Sequence, residues 1–418
     1  MAKLKIQGPT KLVGEITVAG SKNAVLPIMA ACLLSEESIT LRNVPDLSDV
    51  ELMADILRAF GATIERGEHS LTITAQNLKV SDIPLAQTSK MRASILILGG
   101  AIGRLDRVNI AHPGGDLIGA RPIDTHIKVF QALGLKVEVT KEGILLSGAP
   151  KGGMVNLGEL SVTATENAIM AAVLAPGLTR IRVAATEPHV VDLCNFLNHL
   201  GAKISGIGSN NLDIEGVDSL RGGEWSIIAD QLEAGTLAIA AAASRGHLLI
   251  HDFISDHHDS LLAKFSEMGV NFEQPDSKTL LIKPTEKLKA VKIKSQPYPN
   301  FPSDLQAPMA VLLTQAEGES EIFESLYEGR MSYVFELQRM GANATLRDTH
   351  TAVFTGPSKL HGSELISFDI RAGATILIAA IIAEGETTID RIEHIERGYE
   401  HFADRLRSLG AKMEQIDS

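Results

Sequence analysis

Six times along the chain an amphipathic stretch closes on a glycine and gives way to a short alternating segment. The copies read LRAFGATIE, FQALGLKVEV, LNHLGAKIS, FSEMGVNFE, LQRMGANATL and LRSLGAKME, with Gly61, Gly134, Gly201, Gly269, Gly341 and Gly410 at one place in each. Their spacing is about 70 residues throughout, and a fixed period of this kind marks a repeated supersecondary unit. A glycine just past the last apolar turn is the residue that ends a helix in the left-handed conformation. A second phrase keeps step with the first: SKNAVLPIMAACLL, KMRASILILGGAI, TENAIMAAVLA, QLEAGTLAIAAAA, DLQAPMAVLLT and DIRAGATILIAAII, aligned on Ala24, Ala93, Ala168, Ala234, Ala307 and Ala372. These segments are apolar on nearly every face, so as helices they must be buried on every side. A third phrase precedes them, two alternating segments about a Gly or Pro turn, as in LKIQGPTKLVGEITV, LLSGAPKGGMVNLGEL, LDIEGVDSLRGGEWSII and AVFTGPSKLHGSELISF. Alternation around turn residues reads as paired strands.

Each unit is therefore expected to run strand pair, apolar helix, strand, amphipathic helix, strand. The apolar helices form the inside and the sheets lie outside them. An ordinary doubly wound domain would instead carry its most apolar segments in the strands. The expected fold is α/β, with two halves of three units each and a boundary near residues 215–230. The length of 418 residues suits two or three domains.

Composition narrows the function more than the fold. With 39 Lys+Arg against 51 Asp+Glu the formal charge is -12, and no basic block supplies the clustered cations that nucleic acid requires. Two cysteines, Cys32 and Cys194, both in apolar stretches, exclude a disulfide framework and a cysteine zinc site. The first 20 residues alternate and lack the apolar core of a signal peptide. The longest apolar runs, such as ATILIAAII at 374–382, fall short of the ~20 residues that span a membrane. A cytoplasmic protein with no membrane insertion is expected.

If three like helices in each half run the same way, their N-termini share a face where unpaired amides and helix dipoles favour anions. The residues there are Ser21, Lys22 and Asn23; Lys90 and Arg92; Thr165, Glu166 and Asn167; Asp230, Gln231 and Glu233; Asp304 and Gln306; Asp369 and Arg371. Thr165 and Asp230 read as helix caps. Lys22, Arg92 and Arg371 do not, because a cation opposes the dipole. The pattern suggests a charged cleft between the halves. The segment HPGGDLIGARPIDTH at 112–126 breaks the repeat with three glycines and two prolines, the composition of a mobile active-site loop. Neither GxxxxGK[ST] nor GxGxxG occurs, so those phosphate-binding devices are absent. The Asp256, His257, His258, Asp259 run reads as a solvated helix start rather than a metal site, since adjacent residues on a helix diverge by about 100°.

These residues carry a resemblance to the enolpyruvyltransferases over essentially the whole chain. The motifs are GSKNAVLP at 20–27, KMRASI at 90–95, PGGDLIGARPIDTHI at 113–127, SVTATE at 161–166, FPSDLQA at 301–307, DIRA at 369–372 and IERGYE at 395–400. GSKN, rather than a GSKS-type loop, favours the cell-wall branch over the shikimate-pathway branch. The resemblance implies a two-domain inside-out α/β barrel, with residues 1–20 and 231–418 in one domain and 21–230, carrying the loop, in the other. It implies transfer of the enolpyruvyl group of phosphoenolpyruvate to the 3'-hydroxyl of UDP-N-acetylglucosamine, with phosphate released and neither metal nor organic cofactor. Lys22, Arg121 and Arg397 are implied to hold phosphoenolpyruvate, with Arg92 and Arg371 as further cations. Asp304 is the implied base, with Asn23 beside it on the sugar. Arg121, Pro122, Ile123 and Asp124 would address the uridine, Ser161, Val162 and Thr163 the diphosphate, and Leu326 the acetamido group. Asp369 and Arg371 would support the intermediate.

Some positions depart from the family pattern. Asp116 stands where many members carry the loop cysteine implicated in protonating the substrate methylene and alkylated by fosfomycin-type epoxides. An aspartate in that role needs a raised pKa to donate near neutrality. Ser48 replaces a common lysine, leaving Asp49, and Gln231 stands where arginine is frequent. The competing readings are the shikimate-pathway acceptor and a non-catalytic repeat scaffold. The scaffold gives no reason for cations at one register position of the repeat.

Overall fold

A computed structural model describes residues 3–79, 85–116 and 118–416. The six apolar phrases form helices α1 (Lys22–Ala31), α2 (Leu96–Ile102, entered through a 3-10 turn at Arg92–Ile95), α3 (Val162–Val173), α4 (Gln231–Ala243), α5 (Ser303–Thr314) and α6 (Ile370–Ile382). Every residue of α4 is buried, and every residue of α6 except Ile382. The expected closing glycines all adopt positive φ, from 80° at Gly134 and Gly269 to 107° at Gly201.

The chain divides into two compact units. One contains residues 20–116 and 121–228, with α1, α2 and α3 inside it, and the other contains 1–19, 117–120 and 229–418, with α4, α5 and α6. Three sheets clothe the helices of each unit. A typical sheet has a parallel pair across a buried helix, then an antiparallel hairpin. Met154–Asn156 pairs parallel with Leu178–Arg182 across α3, Lys292–Ser295 with Ala316–Glu324 across α5, and Glu364–Ile366 with Gly385–Asp390 across α6.

Two units of the repeat exchange this strand. Val13–Thr17, which precedes α1, pairs with His247–His251 after α4. Gly223–Ser226, which precedes α4, pairs with Ile39–Arg42 after α1. The chain thus leaves each compact unit between a strand and its buried helix. On one side Glu233 accepts from Ala19 N–H (3.1 Å) and Arg405 Nη1 (2.6 Å), while Arg405 Nη2 donates to Thr17 O (2.6 Å). On the other, Asp192 accepts from Trp225 Nε1 (3.3 Å) and Ile228 N–H (3.4 Å).

Three expectations from the sequence need correction. The alternating segments about each Gly or Pro turn are not partners of one another. Lys3–Gly8 pairs with Gly385–Asp390 and Lys412–Ile416, whereas Val13–Thr17 lies in a different sheet. Thr351–Gly356 and Glu364–Ile366 likewise separate. Alternation fixes which face is buried and leaves the partner open. The glycines turn the chain at the corner between sheets, where a Cβ on Gly8 would fall 2.4 Å from Ala383 O and one on Gly356 2.5 Å from Thr314 O. Second, His258 is buried, not solvated. Its ring stacks on Phe253 at 4.0 Å, and its nitrogens lie 2.9 Å from Ile254 O and 2.8 Å from Gln231 O. Third, the irregular loop ends earlier than its composition suggests, because Asp124 already begins the helix Asp124–Ala132.

Burial pushes the Asp192 carboxyl up to about 7. A carboxyl raised in the folded state binds more protons there than in the unfolded chain between about pH 4 and 7, so its contribution is full near pH 4 and is lost as pH rises through about 7. Asp192→Asn is therefore expected to flatten the pH dependence of the urea-unfolding midpoint in that window, by up to about 1.4 kcal/mol per pH unit. An unchanged slope in the variant would show that Asp192 does not titrate there.

Candidate active site

In the unit built on α4, α5 and α6, the helix starts carry most of the implied chemistry. Asp230 caps α4, accepting from Leu232 N–H (2.7 Å) and Glu233 N–H (3.1 Å). Asp369 caps α6, accepting from Arg371 N–H (2.8 Å) and Ala372 N–H (2.9 Å). This leaves the Arg371 side chain in the first turn, where Nη2 donates to Asp304 Oδ2 at 3.1 Å and the guanidinium lies 5.0 Å over the Tyr399 ring. Arg330 closes on the other oxygen of Asp304 through Nη2 and donates from Nη1 to Ser303 Oγ (3.0 Å).

Burial would raise the Asp304 carboxyl, but Arg330 and Arg371 outweigh it and hold the group well below the usual carboxylate range. Burial would also discharge Arg371, and the neighbouring Tyr399, Asp304 and Asp230 keep it firmly protonated. Arg330 Nε and Arg371 Nη1 are buried without a hydrogen-bond partner among the described residues. Two guanidiniums thus converge on one carboxylate, and each keeps one buried nitrogen without a hydrogen-bond partner among the described residues; arginine uses such donors on carboxylates and phosphates.

A buried carboxylate supports the pair from below. Glu324 Oε2 accepts from Ser295 (2.7 Å) and Ser303 (2.6 Å), and Oε1 accepts from Leu326 N–H (2.8 Å). Leu326 itself is exposed, and Arg397 is half-buried at the end of the short helix Glu393–Glu396. Loop residues 118–120 group with this unit. Gly329 N–H donates to Ile118 O (3.0 Å) and Ala120 N–H to Glu328 (2.8 Å).

In the other unit Ser21 caps α1, and buried Lys22 in the first turn donates to Asp49 Oδ2 at 3.0 Å. Asn23 beside it is half-buried. Arg92 Nη2 donates to Pro122 O (3.1 Å). Gly115, at φ 112°, lies so close to this corner that a Cβ would sit 3.1 Å from Arg92 Cβ and 3.4 Å from Arg121 Nη1. Arg92 and Arg121 therefore flank the loop immediately before half-buried Asp116. Arg121, Pro122 and Ile123 lead into the helix that Asp124 begins. Ser161, Val162 and Thr163 form the start of α3, where the Ser161 side chain makes no capping bond.

Thr165 does not cap. The helix starts a turn earlier, at Val162, and the Thr165 hydroxyl donates back to Ser161 O while accepting from Ala185 N–H. Glu166 is fully buried, and its carboxyl is pushed well above the usual range by burial and then by Glu187. Arg330 and Glu324 escaped the sequence reading because neither falls in a recurring phrase. Their contacts reach Asp304 and Ser303 from 26 and 21 residues away. Among the described residues no cluster of three or more His, Cys, Asp or Glu is arranged to hold a metal ion, and no helix is long and apolar enough to cross a membrane.

Buried helices encased by sheets, with charged side chains gathered at their starts, define a class. The chain belongs to the enolpyruvyltransferase family, matching the family model described as EPSP synthase (3-phosphoshikimate 1-carboxyvinyltransferase) over residues 6–406. Within it, the chain is 43% identical over 419 aligned positions, covering 100% of both chains, to UDP-N-acetylglucosamine 1-carboxyvinyltransferase 2 of Carboxydothermus hydrogenoformans. It is 42% identical to UDP-N-acetylglucosamine 1-carboxyvinyltransferase of Pectobacterium carotovorum, covering 100% of this chain and 99% of the relative. Among solved structures, the enolpyruvyl transferase NikO from Streptomyces tendae superposes with TM-score 0.89 at 23% identity over 100% of this chain and 99% of that one. EPSP synthase from Acinetobacter baumannii superposes with TM-score 0.76 at 18% identity over the full length of both. These likenesses establish the two-domain inside-out α/β fold.

Arg330→Gln is expected to lower the urea-unfolding midpoint at pH 7 by the equivalent of about 3 kcal/mol, the usual cost of breaking a buried ion pair from one side. A carboxyl held low contributes its stability above the unfolded pKa of about 4 and loses it as pH falls further. The difference between parent and variant should therefore shrink at pH 3. A constant difference at both pH values would count against the ion-pair origin.

Proposed function

We propose that the chain transfers the enolpyruvyl group of phosphoenolpyruvate to the 3'-hydroxyl of UDP-N-acetylglucosamine and releases phosphate, a step of peptidoglycan precursor synthesis carried out in the cytoplasm. The observation that carries the reading is the Arg330, Asp304, Arg371 triad with one nitrogen of each guanidinium unpartnered among the described residues. The full-length relatives named for this activity support the choice of acceptor.

The reaction adds a proton to the substrate methylene and the sugar hydroxyl to the adjacent carbon, with a base taking the hydroxyl proton. The tetrahedral adduct then loses a methyl proton as its C–O bond to phosphate breaks, which restores the double bond and frees phosphate. With both arginines on it Asp304 is a weak base, and general base catalysis works best with a pKa near the operating pH. A substrate anion that engages Arg330 Nε and Arg371 Nη1 shares their charge and raises the proton affinity of Asp304 when the acceptor is in place. Asn23 addresses the sugar. Lys22, Arg121 and Arg397 hold phosphoenolpyruvate, with Arg92 positioned against the loop. Asp116 supplies the methylene proton. Arg121, Pro122, Ile123 and Asp124 face the uridine, the uncapped first turn at Ser161, Val162 and Thr163 takes the diphosphate, and Leu326 meets the acetamido group. Asp369, by fixing the start of α6, holds Arg371 against the tetrahedral intermediate.

Phosphate release from phosphoenolpyruvate is expected with UDP-N-acetylglucosamine and not with shikimate 3-phosphate. The opposite preference would overturn the assignment. Asp304→Asn should retain UDP-N-acetylglucosamine binding and lose about 10²–10⁴-fold in turnover, the range of general base catalysis. Because Asp116 offers no thiol, the parent should remain active at fosfomycin concentrations that inactivate cysteine enzymes, and Asp116→Cys should become sensitive. A covalent adduct on Asp116 by mass spectrometry, or an insensitive Asp116→Cys, would contradict this.

A further inference from the structure

The start of α3 differs from those of α1, α4 and α6. Ser21, Asp230 and Asp369 cap those helices, whereas Ser161 leaves the first amides of α3 without a side-chain acceptor. A chain of hydrogen bonds with fixed directions arrives at this point. Gly99 N–H donates to Asn167 Oδ1 at 2.9 Å, which settles the orientation of the amide. Asn167 Nδ2 is then the donor to Ile95 O (3.1 Å) and to His126 Nδ1 (2.9 Å). A ring nitrogen that accepts carries no hydrogen, so the neutral imidazole has its hydrogen on Nε2. That nitrogen lies 3.2 Å from Thr163 Oγ1. The ring is buried, and burial together with the Arg92 charge pushes its pKa down to about 3, which keeps it neutral.

The consequence falls on Thr163. A hydroxyl can accept or donate, and here its oxygen already accepts from His126. The Thr163 hydroxyl makes no other hydrogen bond among the described residues. Its own hydrogen is left to donate, in the first turn of α3, where the helix amides also donate. Because the ring donates, the Thr163 hydrogen is not spent on His126 and stays available to an anion, while the bond to the ring orients the hydroxyl oxygen.

We propose that His126 is a positioning residue for diphosphate recognition: held by Asn167, it orients the Thr163 hydroxyl at the start of α3 and leaves its hydrogen free to donate to a diphosphate oxygen of the nucleotide sugar. This rests on the reading of UDP-N-acetylglucosamine as acceptor. His126 acts through Thr163 and does not itself touch the ligand.

Calorimetric binding of UDP-N-acetylglucosamine and of UDP to the full chain, with ¹⁵N spectra of the imidazole, tests the proposal. The parent ring should show the Nε2–H tautomer from pH 6 to 8. Thr163→Val and His126→Leu should each weaken both ligands about ten-fold, as loss of one hydrogen bond to a charged group does. The double variant should bind no worse than either single one, because both act through one contact. His126→Gln, whose terminal amide can donate from the same place, should stay within about two-fold of the parent. An Nδ1–H ring, additive losses in the double variant, or His126→Gln as weak as His126→Leu overturns the proposal. Should His126→Leu fail to fold, the parent tautomer and the Thr163→Val affinity decide, and an unchanged affinity refutes the role. A parent that binds neither ligand overturns the substrate reading and this role with it. Equal, tight binding by the parent and Thr163→Val overturns only the role.

Discussion

A helix with no polar face must be covered on all sides, and in each unit that requirement determines where everything else goes. The sheets lie outside because the helices need them there. The small side chains of α4, largely alanine and glycine, let its neighbours approach closely enough to leave no solvent against it. Polar groups of such a helix meet water or ligand only at its ends. The starts carry unpaired amides and a positive dipole, so the chemistry available to each unit collects where its three helices begin.

The two units use this position differently. In one, aspartates cap α4 and α6, and the charge of Arg371 is turned onto Asp304, where Arg330 meets it. Glu324 holds the serine next to Asp304 and the amide of Leu326, so one buried carboxylate locates residues that are distant in sequence. In the other unit the start of α3 is left open, and a neutral histidine donates to a hydroxyl there, leaving the hydroxyl hydrogen free. Both arrangements depend on groups whose ionisation their surroundings have decided: an aspartate kept charged by two arginines against its burial, and a histidine kept uncharged by burial.

The buried helices and closing glycines were legible in the sequence because both are local signals. All-round apolarity and a glycine after the last turn need no knowledge of partners. Strand pairing was not legible, since alternation in LKIQGPTKLVGEITV says which side chains face inward but not that its two strands join different sheets. The cations at the start of the apolar phrases were found by their misfit with the helix dipole. Arg330, outside the recurring phrases, gave no such signal. Thr165 was misread by one turn, because Val162 and Thr163 continue the helix toward Ser161. The surroundings of His258 come from Phe253 and from Gln231, at the start of a separate helix.

The exchange of strands bears on how the protein can be made. Lys3–Gly8 leaves the ribosome well before its partners, Gly385–Asp390 and Lys412–Ile416, have been synthesised. At roughly 5–20 residues per second the interval is on the order of 20–80 s. The unit built on α1, α2 and α3 can close once Gly223–Ser226 has emerged to pair with Ile39–Arg42. During all of that time the first strand, apolar at Leu4 and Ile6, waits without a sheet. Its alternating lysines, Lys3 and Lys5, give the waiting segment a charged face, the device by which unpaired strands resist joining the wrong neighbour.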